Sequence, residues 1–186
     1  MGKKFNTAGP NKLHKHYCVD PFARIDWRQV SGLIDDEKYF VLHAPRQSGK
    51  TTLLRSIVER LNAEGKYEAL YVNYEAAQPA RNDLRFADDV IANRLVSRAA
   101  GDIPQSWLAR EGYGLIANGT SGTLVSRLLT EWTVKADKPT VLMVDEIDSL
   151  VGDSLVHALR QLRDGYVDRP KMFPQSVILC GVRDVR

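Results

Sequence analysis

No run of about eighteen apolar residues occurs in this chain, so no segment reads as a membrane-spanning helix. The opening MGKKFNTAGP is positively charged but lacks the apolar stretch of a secretory signal. It also places Asn6 where N-myristoylation wants serine or threonine. Cysteine is scarce: Cys18 and Cys180 lie far apart and make no disulfide framework, and Cys180 sits in an apolar run where a small hydrophobe fits. Both read as reduced thiols of a cytoplasmic protein, which leaves the Asn118-Gly119-Thr120 sequon without meaning. No internal repeat, low-complexity tract, helix-turn-helix or arginine-rich stripe is legible. The net charge of +3 is too small to argue for nucleic acid by itself. Lys3, Lys4, Lys12, His14, Lys15 and His16 do cluster near the start, where a solvated arm is the plainer reading. Against these absences stand 186 residues with 44% hydrophobic and 26% charged content, which is enough for one globular domain with a sizeable core.

The chain is organised around Tyr39 to Glu64, where YFVLHA, PRQSGKTT and LLRSIVERLNAE follow without a gap. An apolar run, a turn ending in Gly49-Lys50-Thr51 and a helix-period segment together read as the strand, loop and helix of a phosphate-binding P-loop. A nucleoside triphosphate must have its charges desolvated and held, and a loop entering a helix offers unpaired backbone N–H groups to them. The cofactor-binding set is Ala44, Pro45, Arg46, Gln47, Ser48, Gly49, Lys50, Thr51 and Thr52. In it Gly49 permits close approach, Lys50 places a point charge at the β- and γ-phosphates, and Thr51 offers a hydroxyl to Mg²⁺. Ala44 departs from the GxxxxGK[ST] pattern, at a cost of about 1 kcal/mol if that position needs φ > 0. Pro45 offsets this by fixing the turn.

Residues 1–25 read as an N-terminal arm, with Phe5, Tyr17 and Val19 able to pack on the body, and residues 26–186 as the core. DWRQVSGLIDD has Trp27, Val30, Leu33 and Ile34 at helical spacing, and by analogy with other P-loop proteins it lies where adenine is gripped. The P-loop helix carries Leu53, Leu54, Ile57, Val58 and Leu61 on one face and ends near Gly65. Ala69 to Tyr74 is a second strand, completing a βαβ unit, with Glu75 at its end. Helices are expected over Leu84–Ala100, with a stripe of Phe86, Val90, Ile91, Leu95 and Val96, and over Thr123–Ala136. The glycines from Gly112 to Gly122 read as a surface loop, with a second phosphate site as the alternative. Thr140 to Val144 is a strand buried on both faces. Asp153 or Ser154 can then cap a helix bearing Leu155, Val156, Leu159 and Leu162, and Ser176 to Cys180 is a fourth strand.

The third strand ends in Asp145-Glu146-Ile147-Asp148, at the sheet edge where parallel sheets bind ligands. Asp145 suits Mg²⁺ opposite Thr51, and Glu146 suits the water that attacks the γ-phosphate. Asp148 reads as a loop cap. Glu75 is a weaker candidate for the water network.

APRQSGKTT, VLMVDEID and the extra strand between them resemble the additional-strand P-loop ATPases, which include AAA+ and STAND proteins. FNTAGP, PRQSGKTT, RQLRDGY and CGVRD look like uncharacterised prokaryotic AAA-like ATPases. The resemblance implies a three-layer α/β fold: a mostly parallel central sheet, helices on both faces and a helical insertion between strands 2 and 3. It implies ATP and Mg²⁺ as cofactors, Lys50 and Glu146 as catalytic residues, and a STAND-like arginine, Arg183, reading the γ-phosphate after the fourth strand. It also implies a fifth strand and a helical lid absent from these 186 residues, so slow hydrolysis and self-association are expected of the chain alone. The leading functional expectation is an ATPase that drives or times a conformational change in a switch or remodelling module, with a protein partner or a second copy of the chain as its partner besides nucleotide. A DNA-associated initiator or helicase-loader ATPase stands second, and a small-molecule P-loop kinase third. The lack of an Asn/Thr-Lys-x-Asp guanine reader favours adenine.

Overall fold

Alternation along four short strands sets the layers. The computed structural model describes residues 4–5, 15–17, 19–43, 45 and 48–181. Within these, α1 is Trp27–Asp35, β1 Phe40–His43, α2 Lys50–Glu64 and β2 Glu68–Asn73. They are followed by α3 Leu84–Asp102, α4 Trp107–Ala117, α5 Leu124–Lys135, β3 Thr140–Asp145, α6 Asp153–Asp164 and β4 Ser176–Gly181. The strands form one sheet in the order β1-β4-β3-β2, and every neighbouring pair is parallel. Among the described residues, no helix is long and apolar enough to cross a membrane.

Odd and even positions separate the two halves of the core. Ala69, Tyr71, Val141, Met143, Ile178 and Cys180 pack toward α1 and α2, with Leu54, Ile57 and Leu61 of α2 buried against them. Leu70, Val72, Leu142, Val144 and Val177 face the opposite layer, built from α3, α4, α5 and α6 around the buried Trp132. Fully burying a leucine or isoleucine of this kind contributes about 1.5–3 kcal/mol, so both layers hold the sheet. The expected three-layer α/β arrangement is therefore present, with a wholly parallel sheet and three helices between β2 and β3.

Capping explains several boundaries. Asp26 accepts hydrogen bonds from the N–H groups of Arg28 and Gln29 and so starts α1, and Gly65, at φ 74°, stops α2. The start of α6 differs from expectation. Neither Asp153 nor Ser154 caps it; Gly152 precedes the helix, and Asn82, from the segment before α3, accepts from the Asp153 N–H at 3.1 Å.

The glycines of residues 112–122 do not form one loop. Gly112 and Gly114 lie inside α4, and a Cβ at Gly112 would stand 2.5 Å from Val96 Cγ2, so glycine here lets α4 lie close against α3. The alternative of a phosphate site is closed at Gly122, where the chain supplies its own acceptor. Asp88 of α3, fully buried, accepts from the N–H groups of Gly122 at 2.7 Å and Leu124 at 2.8 Å and from Gln161 Nε2 at 2.9 Å. Two expected apolar positions point outward: Phe86 is 46% and Val156 46% exposed. The inward faces carry Ala87, Asp88 and Ala92 in α3, and Ser154, Ala158 and Gln161 in α6. Phe5 and Tyr17 of the arm are also exposed and contact each other, with ring centroids 5.1 Å apart.

Candidate functional site

The parallel strands deliver their C-terminal ends to one edge of the sheet, and the turn into α2 rises beside it. Gly49 takes φ 82°, a left-handed conformation open to glycine, and leads into a helix whose first N–H groups have no side-chain cap. Lys50, the first residue of α2, is 9% exposed, and its Nζ donates to the Pro45 carbonyl at 3.2 Å. Ser48 Oγ donates to the same carbonyl at 2.7 Å. Thr51 and Thr52, half-buried, complete the first turn. Ala44, Arg46 and Gln47 lie outside the described residues, as does Arg183.

Asp145 ends β3 on the face turned toward α2, and it is fully buried. Its Oδ2 accepts from Thr51 Oγ1 at 2.7 Å and from Tyr71 Oη at 2.9 Å, while Oδ1 accepts from the Glu146 N–H at 3.0 Å. The P-loop helix and the third strand are thus joined through one carboxylate. Hydroxyl and carboxylate oxygens are hard donors, and the described residues hold no group of three or more His, Cys, Asp or Glu side chains able to cage a metal. A hydroxyl and a carboxylate, both oxygen, suit Mg²⁺, which keeps waters and takes phosphate oxygens as further ligands.

Glu146 adopts φ 54° and ψ 39°, a left-handed conformation that costs a non-glycine residue about 1 kcal/mol. That turn follows directly on the strand end. Burial raises the Glu146 carboxyl above its ordinary range, and the charges of Asp145, Asp148 and Glu75 push the same way, opposed by Lys50. Asp148 sits against the end of β4, where a Cβ on Gly181 would meet its Oδ1 at 2.6 Å. Glu75, exposed just beyond β2, is within electrostatic reach of Glu146. Cys180 lies beneath the same edge, and burial pushes its thiol up to about 12, which makes it an inert filler.

Two residues here escaped the reading of the sequence. Tyr71 carries no local signal beyond being a β-former; its importance comes from sharing a sheet face with Asp145, since Asn73 pairs in register with Asp145 and Tyr71 lies two residues earlier. Arg24 belongs to a short 3₁₀ turn, Pro21–Arg24, and its guanidinium donates to the Ser48 carbonyl. A Cβ on Gly49 would stand 2.8 Å from Arg24 Nη1, a contact the flexible arginine can relieve, so the positive φ is what favours glycine there. Arg24, with Pro21, Ile25, Leu42, Thr52 and Leu53, lines a mainly apolar cavity of about 280 Å³ beside the P-loop turn. Residues 26–36, expected to grip adenine, do not line it; the turn before them does.

A parallel α/β sheet, a Gly-Lys-Thr turn entering a helix, and a carboxylate at a neighbouring strand end bonded to that threonine define the class of P-loop nucleotide-binding domains. Within that class, this chain belongs to the AAA domain family, whose model matches residues 34–186. The fold is similar to that of a chain in the structure of Drosophila ORC bound to poly(dA/dT) DNA and Cdc6, with a TM-score of 0.51 and 13% sequence identity. The match covers 85% of this chain and 24% of that one, so this chain spans about a quarter of its length. No curated protein matches in sequence.

Proposed function

We propose that this domain binds ATP with Mg²⁺ and hydrolyses it to drive or time a conformational change, as a switch or remodelling module. The observation that carries this reading is the Thr51–Asp145 hydrogen bond, which brings the two halves of a nucleotide site into contact. Residues 44–52 form the phosphate cradle: Lys50 leaves the Pro45 carbonyl for the phosphates, and Gly49 admits them to the N–H groups at the start of α2. Thr51 and Asp145 hold Mg²⁺, which supplies charge neutralisation at the β- and γ-phosphates. Glu146 orients and deprotonates the attacking water. Its raised proton affinity suits a general base, because a more basic carboxylate takes a proton more readily near neutral pH. Arg183 senses the γ-phosphate, the feature that aligns the chain with STAND-type switches. The apolar cavity lined by Pro21, Ile25 and Leu53 receives the base.

The test is phosphate release from ATP with Mg²⁺ and with EDTA, beside nucleotide titration. Mg²⁺-dependent release and micromolar binding are expected; a chain that binds no nucleotide overturns the reading. A second reading, a DNA-associated ATPase, draws on the basic residues of the arm and on the fold shared with a chain solved on DNA. Duplex DNA that binds with a steep salt dependence and stimulates release would favour it. Free phosphate as the product, without transfer to a small molecule, separates both from a kinase.

A further inference from the structure

Tyr71 is 6% exposed, in the middle of β2, where phenylalanine would fill the same space. A buried phenol is costly unless its hydroxyl is bonded, and here the bond goes to Asp145 Oδ2 at 2.9 Å. That oxygen already accepts from Thr51 Oγ1 at 2.7 Å. A carboxylate oxygen has about two good acceptor directions, so two hydroxyls saturate Oδ2. On the other oxygen, Oδ1, the Glu146 N–H at 3.0 Å takes one direction and leaves the second. With its proton directed to Asp145, Thr51 has only lone pairs to offer a cation. The Arg98 guanidinium lies over the Tyr71 ring, 5.4 Å from its centroid, and pairs with Asp102 at 2.6 Å.

We propose that Tyr71 is the positioning residue of the metal end of this site: its hydroxyl fixes the Asp145 carboxylate, and through it the Thr51 hydroxyl, in the arrangement that Mg²⁺–nucleotide meets. The inference rests on the nucleotide reading above. It adds a residue that touches neither phosphate nor cation yet sets how strongly Mg²⁺ and nucleotide assist each other. Preorganised ligands of this kind change metal affinity by about 10–100-fold when their outer partner is lost.

The experiment titrates a fluorescent ATP analogue into the wild-type chain and Tyr71→Phe, first in EDTA and then across a range of Mg²⁺ at fixed nucleotide, with thermal unfolding of both proteins alongside. Affinity in EDTA is expected to agree within about twofold, since the phosphate cradle is untouched, while the Mg²⁺ midpoint rises about tenfold in the variant. Equal midpoints overturn the inference, whatever the unfolding temperatures do, because a merely structural hydroxyl would alter stability and leave the Mg²⁺ response alone. If Tyr71→Phe does not fold, 4-fluorophenylalanine at 71 removes the donor at nearly the same volume and is judged by the same comparison. A wild-type chain that binds nucleotide with no dependence on Mg²⁺ removes this inference and leaves nucleotide binding standing. A wild-type chain that binds none removes both.

Discussion

Thr51 Oγ1 donates to Asp145 Oδ2 at 2.7 Å although 94 residues separate them in the chain. The contact exists because α2 follows β1 after a six-residue turn, β3 lies two places along the sheet, and Asp145 falls on the face of its strand turned toward α2. The hydroxyl and the carboxylate are each unremarkable in their own segments. Together they join the phosphate turn to the strand end whose next residue is Glu146.

Lys50→Ala is expected to lower ATP affinity by about 100-fold or more with little change in stability. The lost group is a charge aimed at phosphate, whereas packing on α2 is carried by the buried Leu54, Ile57 and Leu61. Calorimetric titration and thermal unfolding check this together; unchanged affinity would remove the P-loop assignment.

Glu146→Gln should keep ATP binding and lower turnover by about 10²-fold or more, because an amide cannot accept the water's proton. The pH dependence follows from the raised carboxyl. A base must be ionised to act, so wild-type turnover is full above the raised value and falls as pH drops through it, at higher pH than for an ordinary glutamate. A rate independent of pH on the acid side, or unchanged turnover in the variant, points to Glu75 as the next candidate.

Arg183→Ala is expected to weaken ATP more than ADP. If Arg183 senses the γ-phosphate as proposed, a charge-assisted contact worth about 1.5–3 kcal/mol is made with ATP and not with ADP. Paired dissociation constants for the two nucleotides decide it, and equal losses would remove the sensing role.

Asp88→Ala should destabilise the fold by about 3 kcal/mol, measured by urea unfolding. The substitution strips the N–H groups of Gly122 and Leu124 and the Gln161 amide of a buried acceptor that water cannot readily replace. Nucleotide affinity of the folded fraction should stay near wild type.

Gly112→Ala tests the contact between α3 and α4. The added methyl would meet Val96 at 2.5 Å and Leu108 at 3.4 Å, so a loss of about 1–3 kcal/mol is expected. A stabilised variant, the outcome for an ordinary exposed helical glycine, would contradict the close packing.

What could be read from the sequence alone was whatever neighbours in the chain enforce. GKT after an apolar run and before a helical period is a local arrangement, and so is VLMVDE, so β1, α2, β3 and the residues at their ends were legible. Gly65 announced a helix end for the same reason, since a left-handed stop acts within a few residues. Where distant segments satisfy each other, the local signal misled. Gly112 resembles a loop residue until Val96 lies against it. The Gly122 end of that stretch resembles an open anion site until the Asp88 side chain accepts from it, and α6 begins under the side-chain amide oxygen of Asn82, not a cap of its own. Tyr71 shows the same limit at the site. Its residue type allows a strand anywhere, and only the register of β2 against β3 and the seating of α2 turn its hydroxyl into a ligand of Asp145. Sequence alone determined which groups arrive at the sheet edge, because motif chemistry is written in consecutive residues. Tertiary structure decided which of them bond to one another, because a hydrogen bond depends on separation in space and not along the chain.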